Sequence, residues 1–192
     1  GRRSAFPVTG AAGAAPAQMD LRTPTEVPWF REYAELHDRR WRQVSFGPSF
    51  GVARTDHGEL FVWGSSRNAE GRKEVFLEPQ RLSWGEGAES LRFVDAQCSE
   101  SSVWAITDAG EVVVWERMPR MIAEKAATAP SPQGDGLVGG KRISGLDRPV
   151  REMSIGPSHA AFLTDEGDVF CLGSNRCGQC AAEPSVQGVA SA

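Results

Sequence analysis

The chain has 192 residues, of which 40% are hydrophobic and 24% are charged. This composition is typical of a globular protein and argues against collagen-like, wholly disordered and disulfide-scaffold classes. The net charge of -4 at pH 7 gives no basic face for nucleic acid, so direct DNA binding is not expected. No apolar run is long enough for a membrane-spanning helix. The 21 Gly, 12 Pro and 6 Trp indicate short strands joined by tight turns, which makes internal repeats the first pattern to test.

The N-terminal region, residues 1–24, is predicted to be flexible or transit-like. Residues 1–19 are rich in Ala, contain Arg2 and Arg3 and include no acidic residue. This composition resembles an organellar transit segment, and a disordered linker of small residues is the alternative interpretation.

An amphipathic helix is predicted over residues 25–40, with a proline in its first turn. Trp29, Tyr33 and Leu36 follow one another at i, i+4 and i+7, and Phe30 lies beside this apolar stripe. Such a stripe can pack on the chain's own sheets or dock into a groove of a partner. Trp29, Phe30 and Tyr33 are therefore candidate partner-binding residues.

A short pattern occurs three times in the chain. Each copy begins Thr-Asp-x-Gly, continues with an acidic residue and ends in an apolar run, and the copies start at Thr55, Thr107 and Thr164. The matches extend upstream without gaps to Gly47, Ser99 and Gly156 and to Phe50, Ser102 and His159. So many matches in one register indicate a true repeat.

Each repeat predicts four short antiparallel strands. The first strands are expected at 41–46, 92–97 and 150–155, and the second at 51–55, 103–107 and 160–164. The third are expected at 59–63, 111–115 and 168–172, and the fourth at 79–83, 141–145 and 184–188. The glycine of Thr-Asp-x-Gly supplies the positive φ that a tight hairpin needs between the second and third strands. Four such strands per repeat describe a blade of a β-propeller.

The second repeat carries an insertion at residues 117–140, which is predicted to be a long loop. Its first half contains two Arg and two Met, residue types that are favoured at the centres of protein interfaces. Arg117, Met118, Arg120 and Met121 are therefore candidate partner contacts. A solvated flexible loop is the alternative.

The third copy resembles the repeat of the regulator-of-chromosome-condensation family, whose members are seven-bladed propellers. The resemblance is carried by residues 155–164 and by the tail Gly-Ser-Asn-Arg-Cys-Gly-Gln-Cys at 173–180. The family's histidine stands at His159, where the resemblance implies a hydrogen bond across the blade. Phe50 and Ser102 replace it in the other copies, and the tail is degenerate in copy one and lost in copy two.

The resemblance implies an all-β fold, a partial propeller of about three four-stranded blades with an N-terminal helical extension. The blades are expected at residues 41–90, 91–149 and 150–192. Three blades are too few to close a ring, because closed propellers use roughly 4–8. We therefore expect the chain either to be part of a longer protein or to have its open faces covered by partners.

No catalytic, cofactor or metal site is expected from the sequence. Cys177 and Cys180 have CxxC spacing, but they lie in the blade tail rather than at the start of a helix, and a second cysteine pair for zinc is missing. Cys98, Cys171 and His159 do not complete such a site, so the cysteines are interpreted as structural. The remaining histidines form no recognisable triad.

Two functional hypotheses follow from the resemblance. The first is a non-catalytic interaction scaffold, an assembly or structural factor in a mitochondrial multiprotein complex such as the ribosome or the respiratory chain. The mitochondrion is the expected location, with cytoplasm or nucleus as alternatives. The second is guanine-nucleotide exchange on a small GTPase, and a weaker third is a recruiting domain of a larger ubiquitin ligase. Protein partners are expected in every case.

Overall fold

Three sheets follow one another along the chain in the computed structural model, which describes residues 23–67, 73–84, 91–127 and 137–181. The elements in chain order are α1 (Pro28–His37), β1 (Trp41–Phe46), β2 (Phe50–Thr55), β3 (Leu60–Arg67), β4 (Lys73–Ser83), β5 (Phe93–Cys98), β6 (Val103–Thr107), β7 (Val112–Trp115), α2 (Met118–Ala127), β8 (Leu137–Val138), β9 (Lys141–Arg142), β10 (Val150–Ile155), β11 (His159–Thr164) and β12 (Val169–Gly173). The sheet orders are β1-β2-β3-β4-β8, β5-β6-β7-β9 and β10-β11-β12. We call these sheets blades 1, 2 and 3.

The predicted all-β blade architecture is confirmed. The first, second and third strands of all three repeats form, and most of their ends fall within a residue or two of the predicted bounds. The fourth strand of blade 1 begins earlier than predicted, at Lys73, and that of blade 2 is only two residues long. The fourth strand that was predicted for blade 3, at 184–188, lies outside the described residues.

The insertion at 117–140 is not the long loop that the sequence predicted. Residues Met118–Ala127 form α2, and Leu137–Val138 pair parallel with Leu82–Ser83 at the edge of blade 1. The helix forms because Met118, Met121 and Ile122 stand at i, i+3 and i+4 and turn one apolar side to the core. An insertion in blade 2 thus supplies the outermost strand of blade 1.

A threonine hydroxyl closes the hairpin between the second and third strands of each blade. The side chains of Thr55, Thr107 and Thr164 are buried and accept the backbone N–H four residues further on, at 3.0–3.1 Å. The glycines Gly58, Gly110 and Gly167 have φ of 78–94°, as the hairpin prediction required. The sequence therefore specifies the same turn three times.

The glycine of this hairpin also joins one blade to the next. The Gly58 carbonyl accepts the Phe93 N–H at 3.1 Å, and the Gly110 carbonyl accepts the Val150 N–H at 2.9 Å. A Cβ at Gly58 would stand only 2.6 Å from the Phe93 nitrogen. These positions thus need glycine for the approach of the following blade as well as for φ.

Two apolar cores lie between successive blades. The core between blades 1 and 2 contains Phe50, Val52, Leu60, Val62, Leu82, Phe93, Ala96, Val103, Ala105, Val113 and Trp115, closed at the outer end by Met118, Ile122 and Leu137. The core between blades 2 and 3 contains Ile106, Val112, Val150, Met153, Ala160 and Phe162. Burial of these faces is the main force that holds neighbouring blades together.

Polar side chains also form hydrogen bonds between the innermost strands of neighbouring blades. The side-chain Oε1 of Gln43 accepts the Ala96 N–H at 3.1 Å, and the Ser45 hydroxyl accepts the Cys98 N–H at 3.0 Å. Gln97 then donates to the Met153 carbonyl at 2.8 Å and accepts from the Ile155 N–H at 3.3 Å. These bonds fix the offset between blades, which apolar contacts alone would leave variable.

Replacing Gln97 by Ala should lower the free energy of unfolding by about 1–3 kcal/mol, because two bonds between blades 2 and 3 are lost together. The matched control is Gln80→Ala, whose side-chain amide donates an exposed hydrogen bond to the Glu78 carbonyl at 3.2 Å. That change should stay within about 0.5 kcal/mol. Urea unfolding followed by tryptophan fluorescence measures the free energy of unfolding of both variants. Equal effects would contradict a stabilising role of the Gln97 hydrogen bonds.

Candidate interaction site

The aromatic side of α1 packs on blade 1. The Phe30 ring lies 4.9 Å from the rings of both Trp41 and Trp63, and the Trp41 indole N–H donates to the Phe30 carbonyl at 2.8 Å. The Tyr33 ring lies 4.8 Å from that of Phe61. Of the two alternatives for the stripe, the structure thus shows packing on the chain's own sheet, and partner binding by Trp29, Phe30 and Tyr33 stays a prediction.

An open groove runs along the outer side of α1, and we call it the α1 groove. It has a volume of about 490 Å³ and is lined by Val27, Pro28, Trp29, Glu32, Tyr33, Leu36 and Glu78. Its apolar part is accessible, since Leu36 is 79% exposed and Val27 is also exposed. The carboxylates of Glu32 and Glu78 contribute negative charge. Two of the predicted partner-binding residues, Trp29 and Tyr33, therefore line this surface while also contacting blade 1.

Tyr33 links the groove to a charged group on blade 1. Partial burial raises the pKa of its phenol above the ordinary value, and the nearby Glu59 carboxylate adds to this effect. Glu59 itself accepts from the Arg39 guanidinium at 3.1 Å. Tyr33 therefore stays protonated at neutral pH and can donate a hydrogen bond to a ligand in the groove.

The four candidate contacts in the insertion have different surroundings. Met118 is fully buried in the core, so its side chain cannot contact a partner, which corrects the prediction for this residue. Met121 is half-buried against the same core. Arg117, which has a left-handed φ of 56°, and Arg120 lie on the exposed side. The amphipathic spacing of the two Met was the signal that sequence reasoning missed.

A second concavity forms where the innermost strands end, and we call it the hub cleft. It has a volume of about 520 Å³ and is lined by Phe46, Gly47, Pro48, Cys98, Ser99, Glu100, Ile155, Gly156 and Pro157. Each blade contributes the same three positions. The exposed Phe46 ring gives the cleft an apolar patch that the sequence did not single out.

The hydrogen bond that the resemblance implied for His159 is not found at the buried Nδ1 of its ring within the described part of the chain. The ring instead packs over Gly156, where a Cβ would stand 2.6 Å from it. In the first repeat, Phe50 covers Gly47 in the same manner, whereas Ser102 in the second bonds Ser99 through both hydroxyls at 3.0 Å. In blades 1 and 3 this position therefore packs over a glycine, and in blade 2 it forms a hydrogen bond.

A second histidine, His57, lies on the surface next to a carboxylate. His57 Nδ1 is 3.0 Å from the Asp56 carboxylate, and this hydrogen bond, together with the N–H of Arg40, lowers the pKa of Asp56 to about 2. Asp56 is therefore ionised throughout the physiological range. The pair lies at the tip of the hairpin whose Gly58 carbonyl binds the Phe93 N–H of blade 2. We therefore interpret it as part of the blade contact.

The cysteines are all in the free form. Cys177 and Cys180 lie in a turn, where the Cys180 N–H donates to the Asn175 side chain at 2.9 Å, rather than at a helix start. Burial raises the pKa of the Cys98 thiol to about 12. Within the described ranges, no three His, Cys, Asp or Glu side chains converge on a position for a metal ion. No helix in the same ranges has the length and apolarity to cross a membrane.

The repeats match a known family model. The Regulator of chromosome condensation (RCC1) repeat model matches residues 41–71 and 150–179, which comprise the first three strands of blade 1 and the third repeat with its tail. The chain therefore contains regulator of chromosome condensation repeats in these two segments. The middle repeat is not among the matched residues, although its sheet has the same hairpins and the same blade contacts.

A solved propeller has the same fold as this RCC1-repeat chain. The structure of Prp20p from Saccharomyces cerevisiae superposes with a TM-score of 0.57 at 18% identity, and covers 81% of this chain and 35% of that one. This likeness confirms the predicted propeller fold, and the family-model match confirms the predicted repeats in the two matched segments.

Two curated relatives show similarity over most of this chain. One is the secretion-regulating guanine nucleotide exchange factor of Mus musculus, 29% identical over 71% of the chain. The other is the RCC1 domain-containing protein RUG3, mitochondrial, of Arabidopsis thaliana, 28% identical over 79% of the chain. The alignments span 30% and 33% of these relatives' own lengths.

Timed alkylation at about pH 8 should label Cys177 quickly and Cys98 only after unfolding, because thiols react as thiolates and burial holds Cys98 protonated. Raising the pH to about 10 should leave native Cys98 unlabelled, since its pKa of about 12 lies higher still. Peptide mass spectrometry measures each site. Equal rates for Cys98 and Cys177 in the native chain would contradict the assignment.

Proposed function

We propose that this chain is a non-catalytic scaffold that binds other proteins. The observation that carries the proposal is the α1 groove, in which an exposed apolar surface is held on a rigid propeller segment. Exposed apolar patches next to polar groups are typical of protein-interaction sites. The RCC1-repeat fold supports this role, since propellers present loops and grooves on a stable frame.

The frame beneath the groove is stiff enough to hold its shape. The Phe30 ring is wedged between Trp41 and Trp63, and Arg39 next to the helix pairs with Glu59 of blade 1. The floor of the groove therefore moves with blade 1. A preformed site loses little conformational entropy when a partner binds.

The lining of the groove favours one kind of partner. Val27, Leu36 and the face of Trp29 offer apolar contact, while Glu32 and Glu78 offer negative charge. An amphipathic segment with apolar anchors and a Lys or Arg matches both features. We therefore expect a basic amphipathic helix or strand of a partner protein in this groove.

The finer proposal is an assembly or structural factor in a mitochondrial complex. It is supported by the similarity to the protein named RUG3, mitochondrial, and by the Arg-containing, acid-free composition of residues 1–19. Residues 1–22 lie outside the described part of the chain, so this support comes from composition alone. Imaging of a tagged full-length protein tests the location, and purely nuclear or cytosolic signal would count against it.

Changing Leu36 to Glu should remove the groove's partners, because a carboxylate would enter an apolar surface that already carries two acidic groups. The matched control is Leu172→Glu, another exposed leucine that lies on blade 3. Quantitative mass spectrometry of proteins that co-purify with each variant gives the comparison. Loss of the same partners in both variants, or in neither, would contradict the assignment of the groove.

A second candidate is guanine-nucleotide exchange on a small GTPase. It is supported by the similarity to the mouse protein named as an exchange factor. The hub cleft is the surface that would act, since it gathers residues from all three blades and exposes Phe46. The ubiquitin-ligase alternative stays a weaker prediction.

An exchange assay with a panel of GTPases loaded with a fluorescent nucleotide separates the two candidates. The scaffold proposal expects no acceleration of nucleotide release by the chain. If acceleration is seen, Phe46→Ala should abolish it while Phe30→Ala, which changes the α1 side, should not. Acceleration that depends on Phe46 would replace the scaffold by the exchange factor as the best description of the chain.

A further inference from the structure

Two cysteines of the third repeat meet inside blade 3. The thiol of Cys180 is hydrogen-bonded to the thiol of Cys171, and its Sγ lies 3.6 Å from the Ser174 carbonyl oxygen. Within the described residues, the thiol partner of Cys180 is thus Cys171 rather than Cys177, which is nearer in sequence. Two thiols that already touch need little movement to become a disulfide.

The tail turn brings Cys180 back to the strand that carries Cys171. The chain leaves β12 at Gly173, whose φ of 107° lies in the left-handed region. The Asn175 side-chain oxygen accepts the Cys180 N–H at 2.9 Å, and the Asn175 backbone carbonyl accepts the Gly178 N–H at 3.1 Å. Asn175 therefore holds the turn in the shape that places one thiol beside the other.

The contact between the two thiols is internal to the third repeat. Cys171 lies in β12 opposite Ala161 of β11, and Cys180 lies in the turn that follows the same strand. Both positions are thus fixed by hydrogen bonds within blade 3, without any contribution from a neighbouring blade. At the position of Cys171 the other two repeats have Val62 and Val114, so the pair is a property of the third repeat alone.

The other two cysteines have different surroundings. Cys98 lies in β5, where its N–H donates to the Ser45 hydroxyl at 3.0 Å and burial raises the pKa of its thiol to about 12. Cys177 is exposed, and its N–H donates to the Gln179 side chain at 2.9 Å. Cys98 is therefore held out of thiol exchange in the folded chain, and Cys177 supplies an exposed thiol for comparison.

We propose that Cys171 and Cys180 are a reversible disulfide site, oxidised by a low-molecular-weight disulfide of the glutathione type. The Cys171 thiolate attacks one sulfur of glutathione disulfide, breaks its S–S bond and releases one glutathione. The Cys180 sulfur then attacks the Cys171 sulfur of the mixed disulfide, gives its proton to solvent and releases the second glutathione. The pair loses two electrons and two protons, and the glutathione disulfide is reduced to two thiols.

The order of these two steps follows from the state of Cys180. Desolvation raises the pKa of its thiol above the ordinary value, and the adjacent Cys171 adds to this rise. Cys180 is therefore protonated at neutral pH, and thiols attack as thiolates. It acts second, when the mixed disulfide is already next to it and the attack is intramolecular.

The disulfide would tie the tail turn to the third strand. In the reduced chain the end of this turn is held by the hydrogen bond from Cys180 to Asn175. A covalent bond between residues 171 and 180 removes the states in which the turn opens. Oxidation thus changes the local stability of blade 3, and this effect does not depend on what binds the α1 groove.

Equilibration of the full chain in buffers with different ratios of glutathione to glutathione disulfide tests the site, with acid quenching and peptide mass spectrometry. Trypsin cleaves after Arg176, which separates Cys171 from Cys180, so a linked pair of peptides reports the bond. The linked pair should form at oxidising ratios and disappear after dithiothreitol, while Cys98 remains reduced. Its absence at every ratio would overturn the proposal.

Two variants identify the partner of Cys171. Cys177→Ser should form the same linked peptides as the wild type, because Cys177 is not part of the bond. Cys180→Ser should lose the link and carry glutathione on Cys171 instead. A link that is lost in the folded Cys177→Ser chain, or kept in full in Cys180→Ser, would assign the bond to Cys177 and overturn the proposal. Circular dichroism checks the fold of both variants.

Native proteolysis of Cys177→Ser measures what the bond does. Trypsin should cut after Arg176 more slowly in the oxidised chain than in the reduced one, because cleavage follows the population of opened turn. The matched control is Cys180→Ser treated with the same buffers, in which oxidation should leave this rate unchanged. Equal rates for oxidised and reduced Cys177→Ser would overturn the proposed tie between turn and strand.

Discussion

The hydrogen bond from the first strand of one blade to the hairpin glycine of the blade before it is the contact on which the arrangement depends. It brings Phe93 to Gly58 and Val150 to Gly110, at spots where any side chain on the glycine would collide with the neighbour. The threonine hydroxyl behind each glycine holds the turn in one shape. Because turn and contact share the same residue, the angle between blades is set by local geometry, and the apolar cores then fill a gap of fixed width.

Most of the fold could be predicted because the sequence pattern of strands and turns repeats three times along the chain. Alternating apolar runs and a recurring Thr-Asp-x-Gly specify strands and hairpins locally, and burial on both faces gives the strands little freedom of register. The N-terminal helix was predictable from its stripe for the same reason. Its packing surface was not, because an amphipathic stripe shows that one side is buried and leaves open what buries it. Only the rings of Trp41 and Trp63 beneath Phe30 answer that question.

The failures of the sequence interpretation have local physical causes. The insertion is rich in Ala, Pro, Ser and Gly, and this composition favoured a loop. The short helix forms because Met118 and Ile122 are buried in the core. The role of His159 was taken from the resemblance alone, and the structure adds that its ring packs over Gly156. The candidate site was only partly predictable. Trp29 and Tyr33 are found along the α1 groove, whereas Glu78, on the distant strand β4, completes it through a contact that no sequence pattern encodes.

Strand β8 has a consequence for how the chain is made. Blade 1 leaves the ribosome before blade 2, but its outer edge at Leu82 pairs with Leu137, which is synthesised only after nearly all of blade 2. During that interval the edge of β4 has unpaired N–H and C=O groups, a common starting point for wrong pairing between nascent chains. Blade 1 therefore reaches its final form only together with blade 2. Synthesis that paused within the insertion would prolong the period in which that edge stays open.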